Sequence, residues 1–125
     1  MKTVLLSAAI FMAGTFGVVA GKPTEKGMAS WYGEAHRGRL MANGKKFNPD
    51  QLTAASWYYP LGTRVRVTAT GQGNATKSVV VTITDRGPAM RLVRDGRIID
   101  LAHGAFKRIA SPEHGLVGVR VRRME

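Results

Sequence analysis

The clearest pattern along the chain is alternation. Arg64-Val65-Arg66-Val67-Thr68-Ala69-Thr70 puts every second side chain on one face, and Val117-Gly118-Val119-Arg120-Val121-Arg122 does the same. A repeat of two predicts strands with an apolar face toward a core and a wet face that here carries arginine. Ser78 to Thr84 is a run rich in β-branched residues, which suit a pleated, half-buried strand. Gly71 to Thr76 between the first and last of these runs is a turn, so strands 64–70 and 78–84 read as a hairpin. Met28 to Tyr32 is a further short strand candidate, stopped by Gly33.

Two segments read as helix. Asn48-Pro49-Asp50-Gln51-Leu52-Thr53-Ala54-Ala55 suits one or two turns, with Asn48 as cap and Pro49 in the first helical position. Leu101, Ala102, Ala105, Phe106 and Ile109 recur at helical spacing, Asp100 is placed to cap them, and Ser111-Pro112 ends the run. The rest reads as connections. Glu34 to Lys46 is a loop with an Asn43-Gly44 turn, Trp57 to Thr63 is rich in aromatics, and Met90 to Gly96 is basic. Several short strands and only two short helices predict a small, mainly β barrel.

The first twenty residues stand apart. Lys2 is followed by an uncharged apolar run ending at Val18-Val19-Ala20, which reads as a secretory signal peptide cut after Ala20. The expected organisation is a signal peptide over 1–20, a disordered leader over 21–26 and one domain over 27–125. No second apolar run is long enough to span a membrane, and with no cysteine there is neither a disulfide nor a site for a lipid anchor. The expected product is a soluble monomer, periplasmic or secreted. Net charge is +11, or +10 without Lys2. Such a charge favours an anionic partner. Export argues against nucleic acid and for anionic wall polymers or a membrane's outer face.

Candidate chemistry lies at Val79-Val80-Val81-Thr82-Ile83-Thr84-Asp85-Arg86-Gly87-Pro88. Gly87 and Pro88 cannot continue a central strand, so Asp85 sits where a rigid strand gives way to a turn. A second carboxylate, Asp100, follows Arg97-Ile98-Ile99. The two aspartates are expected to face one cleft. Asp85 also suits a turn that bonds its own backbone, and Asp100 a helix cap. Glu34 is a reserve acid. His36, His103 and His114 have no metal-site spacing, and no metal or cofactor is expected.

Six ordered blocks carry a family resemblance: Ala29-Ser30-Trp31-Tyr32-Gly33, Met41-Ala42-Asn43-Gly44, Leu52-Thr53-Ala54-Ala55, Pro60-Leu61-Gly62-Thr63, Asp85-Arg86-Gly87-Pro88 and Ile98-Ile99-Asp100-Leu101. From about Gly27 onward the chain resembles the rare lipoprotein A (RlpA) family of septal-ring lytic transglycosylases. The resemblance implies a six-stranded double-psi β-barrel, shared with expansins, and peptidoglycan glycan strands as substrate. It implies cleavage between N-acetylmuramic acid and N-acetylglucosamine to 1,6-anhydro ends, and cell-division proteins as partners. Asp85 and Asp100 are the implied catalytic residues, with Asp85 favoured as proton donor. Tyr32, Ser56, Trp57 and Arg86 are the implied substrate contacts. Trp31 and Tyr58 are further candidates for stacking on sugar, although half or more of the aromatics should be core. Lys45 stands where the family has glutamate, and Ser56 where it has histidine. The alternative is a binding module on the same barrel that grips wall glycan without cutting it.

Overall fold

The computed structural model describes residues 24–71 and 76–124. The expected signal peptide, and most of the turn at 71–76, lie outside the described residues. Six strands form: β1 (Thr24–Tyr32), β2 (Thr53–Ala55), β3 (Arg64–Ala69), β4 (Ser78–Asp85), β5 (Arg97–Ala102) and β6 (Val117–Arg123). They close into a barrel in the order β1-β5-β2-β4-β3-β6. Two pairs, β1 with β5 and β2 with β4, are parallel, and the others are antiparallel. The short helices α1 (Met90–Arg94) and α2 (His103–Phe106) lie in the connections.

The alternating runs behave as expected. Val65, Val67, Val79, Val81, Val119 and Val121 turn inward and are buried, joined by Ile83, Ile99, Leu101, Phe106 and Ile109. Fully burying each such side chain is worth about 1.5–3 kcal/mol, which lets a chain without disulfides hold together. A closed barrel also leaves no unpaired sheet edge.

Four local expectations fail. Thr24 to Lys26 are not a disordered leader, because β1 already pairs there with Arg122, Val121 and Arg120 of β6. Asn48 to Ala55 is not a helix. It is a turn in which Asn48 Oδ1 accepts from Asp50 N–H, followed by β2, held between β4 and β5. Met90 to Arg94 in the basic connection is α1. Asp100 does not cap a helix, since β5 continues to Ala102 and α2 begins only at His103.

Gly27 permits a close approach. A Cβ there would lie 2.7 Å from both Gly96 O and Ile98 Cγ2, where β1 packs on the start of β5 and its register slips after Met28. Beyond the slip, β1 and β5 pair Ser30 with Asp100.

Candidate active site

β2 is only three residues long, yet it places the site. Ala55 pairs with Asp100 of β5 on one side and with Asp85 of β4 on the other. Ser30 of β1 pairs with Asp100 from beyond. Ser30, Asp100, Ala55 and Asp85 therefore form a row across four neighbouring strands. At about 4.8 Å between strands, the two aspartate backbones are about 10 Å apart. Both carboxylates line one cavity of about 300 Å³. Arg86, Gly87, Pro88 and Ala89 also line it, as do Tyr32, His36, Arg39, Leu40, Met41 and Phe47. Gly87 has φ +156°, and a Cβ there would sit 3.4 Å from Ala55, between the two acids.

The two carboxylates are held differently. Asp85 Oδ1 accepts the backbone N–H of Ala42 at 2.8 Å and that of Arg86 at 2.8 Å. It thus fastens the 41–47 loop over the end of β4, helped by Asn43 N–H donating to Thr84 O. Among the described residues, Asp100 Oδ1 accepts only the Ser30 hydroxyl, at 3.1 Å. Burial raises the Asp100 carboxyl from 3.8 to about 6, against the lowering effects of Ser30, Arg97 and His36. Tyr32 stacks on Phe47 at 4.2 Å, with the His36 ring edge-on at 5.8 Å. Its hydroxyl is buried with no hydrogen-bond partner among the described residues. Burial, then the charges of Asp85 and Asp100, push that phenol well above its ordinary range.

Of the expected substrate contacts, Tyr32 and Arg86 line the cavity. Arg86 Nη1 is engaged with the carbonyls of Ser56 and Tyr59, at 2.7 and 2.6 Å, so it clamps the aromatic loop to the end of β4. Ser56 is fully buried, and its Oγ accepts from Tyr58 N–H. It forms the turn rather than the cavity wall. Trp57 is half exposed and donates from Nε1 to Pro88 O at 2.7 Å, which ties it to the cavity rim. Tyr58 is also half exposed, whereas Trp31 packs against the core. Glu34 is exposed and paired with Arg37, outside the cavity. Lys45 is exposed and does not line it either.

Sequence reasoning did not single out Ser30, Ala55, His36, Arg39, Leu40 or Phe47 as site residues. The signal available was the glycine-containing 34–46 loop next to Trp31-Tyr32, since such loops tend to line sites.

The lytic transglycolase family matches residues 24–121. The chain belongs to this family. A probable endolytic peptidoglycan transglycosylase RlpA of Synechocystis is 44% identical over 119 residues, covering 93% of this chain and 35% of the relative. The endolytic peptidoglycan transglycosylase RlpA of Vibrio cholerae is 42% identical over 98 residues, covering 78% of this chain and 35% of the relative. The chain thus spans about a third of the length of these two relatives. Among solved structures, the Streptomyces papain inhibitor superposes with a TM-score of 0.62 at 22% identity, over 82% of this chain and 96% of that one. An expansin of Clavibacter michiganensis gives 0.59 at 20%, over 82% and 51%. A protease inhibitor and an expansin on one barrel show that the fold alone assigns no activity. For this family member the activity has to be argued from the cavity.

Proposed function

We propose that this chain is a peptidoglycan lytic transglycosylase that cleaves glycan strands between N-acetylmuramic acid and N-acetylglucosamine, with Asp100 as the proton donor. The observation that carries this reading is the pair of carboxylates flanking Ala55 in one cavity, one of them raised to about 6 by burial. Membership of the lytic transglycolase family supports it, as do the printed names of the RlpA relatives.

The chemistry needs one acid used twice. Protonated Asp100 gives its proton to the glycosidic oxygen as the bond to the anomeric carbon breaks. The resulting carboxylate takes the proton of the same sugar's 6-hydroxyl as that oxygen closes onto the anomeric carbon. The products are a 1,6-anhydro end and a free hydroxyl on the departing sugar, no water is consumed, and Asp100 is protonated again. Asp85, with two backbone N–H groups on one oxygen, is the fixed carboxylate that steadies positive charge developing on the ring. Preferring Asp100 over Asp85 as donor reverses the expectation from sequence, for a physical reason. Asp85 already accepts two backbone N–H groups on one oxygen, whereas Asp100 is desolvated and, among the described residues, accepts from one hydroxyl.

Digestion of purified glycan strands tests the reading. Anhydro-muramyl ends are expected, falling off as pH rises above about 6 because the donor loses its proton. Reducing ends would make the protein a hydrolase. Bound protein with no products would make it a binding module.

A further inference from the structure

The barrel has a second charged surface, opposite the cavity. In the closed order of strands, the β5–β2 seam that carries Asp100 and Ala55 lies diametrically across from the β3–β6 seam. There the outward positions are basic. Arg66 pairs directly with Arg122, and Arg122 with Thr24 of β1. In the next row Arg120 lies between Thr68 of β3 and Lys26 of β1, and Arg64 continues the β3 edge opposite Thr82. Lys26, Arg64, Arg66, Arg120 and Arg122 are all exposed. Among the described residues the ion pairs are those of Arg37, so none of these five has an acidic partner. The strand positions that carry these cations form a grid about 4.8 Å apart across strands and about 6.8 Å apart along them.

Two like charges directly opposed on neighbouring strands destabilise the sheet. The barrel core does not require them, since its inward positions are filled by valines. An arrangement that costs folding stability and serves no packing points to a ligand that neutralises it. Four of the five cations are arginine, whose planar fork suits the two oxygens of a carboxylate or phosphate. The exposed large apolar side chains, Leu40, Trp57, Tyr58, Leu61, Met90 and Leu116, all lie outside the strands. A bilayer-binding face would carry apolar residues to insert, so the ladder suits a hydrated polyanion better than a membrane.

We propose that this arginine ladder is a second docking surface, for a carboxylate-bearing peptidoglycan strand other than the one in the cavity. The choice of polyanion rests on the peptidoglycan reading above, because the stem peptides of that polymer present carboxylates. With the two surfaces facing opposite ways, the protein holds one strand on the ladder while a neighbouring strand occupies the cavity.

The test compares the full chain with an Arg66→Gln/Arg122→Gln variant. Binding to intact sacculi at low salt should fall by about tenfold in the variant. Wild-type binding should approach the variant's as salt rises to about 0.15 M, where screening shortens to about 8 Å. On sacculi whose carboxyl groups are capped as neutral amides the two proteins should bind alike, and both should cut soluble peptide-free glycan equally. The melting temperature of the variant should not drop, because a like-charge pair is removed. Arg120→Gln, which leaves the Arg66–Arg122 pair in place, should show a smaller loss of the same kind. Equal binding of both proteins to intact sacculi overturns the proposal, as does a difference that persists on sacculi with capped carboxyl groups. A difference seen only on phosphatidylglycerol vesicles also overturns it, in favour of a membrane. If the wild type cuts no glycan at all, the catalytic reading fails, and the sacculus comparison still decides the ladder.

Discussion

The cavity and the arginine ladder sit on the same barrel, and they treat charge in opposite ways. In the cavity each carboxylate is partly buried and has specified partners, two backbone N–H groups for Asp85 and one hydroxyl for Asp100. On the ladder the charges are exposed, repeat with the pleat and have no acidic partner among the described residues. Desolvation makes a charge expensive and chemically tunable. Exposure leaves it subject to screening by salt. Substitutions in the cavity should therefore move both activity and stability, while those on the ladder should move neither by much.

The strongest way to break this contrast is Asp100→Asn. Asparagine fills the same space but has no proton to give at neutral pH. Release of anhydro-sugars should fall by at least about 10²-fold, as expected for loss of a general acid, with the fold retained. A dead Asp85→Asn beside a working Asp100→Asn, in product analysis of glycan digests, would return the donor role to Asp85.

Stability against pH gives the next largest effect. A carboxyl raised from 3.8 to about 6 binds its proton more tightly in the folded state. Its stabilising contribution is complete below about pH 4 and is lost as pH rises through about 6, amounting to about 3 kcal/mol. Denaturant titrations across that range should show the decline in the wild type and a flatter profile in Asp100→Asn. Identical profiles would mean that Asp100 is not desolvated.

Asp85→Asn should act differently. Its amide oxygen still accepts from Ala42 and Arg86, but without a charge, and charged bonds are roughly twice as strong as neutral ones. A loss of about 1 kcal/mol is expected, with faster amide exchange in the 41–47 loop and a drop in activity smaller than that of Asp100→Asn. Unchanged exchange at Ala42 would contradict the fastening role.

Tyr32→Phe removes a buried hydroxyl that has no partner among the described residues. Stability should hold or rise by up to about 1 kcal/mol, while KM for glycan should rise by about threefold to tenfold if the hydroxyl bonds to sugar. An unchanged KM would leave Tyr32 as a packing residue on Phe47. The smallest effect belongs to the ladder. Arg66→Gln alone should change stability by less than about 0.5 kcal/mol and leave turnover of soluble glycan untouched.

Much of the barrel is written in local pattern. The valines of β3 and β6 alternate with polar residues or glycine because each strand buries one face, and that periodicity survives whatever the neighbours are. The hairpin of β3 and β4 was legible for the same reason, and so was the position of Asp85 at the end of a strand. The arginine faces were readable too, but not their meeting, because Arg66 and Arg122 come together only through β3–β6 pairing across nearly half of the chain.

What the tertiary structure alone decided is concentrated around the site. Thr53-Ala54-Ala55 has no strand signal of its own, and alanine favours helix, so β2 exists only because β4 and β5 supply partners on both sides. The run from Leu101 onward has helical spacing, yet Leu101 and Ala102 are claimed by β5, which turns Asp100 from a helix cap into a strand residue between Ser30 and Ala55. The sequence determined that two aspartates were available. Which of them is desolvated depends on the strands that surround it, and those contacts join residues up to seventy positions apart, beyond the reach of any local pattern.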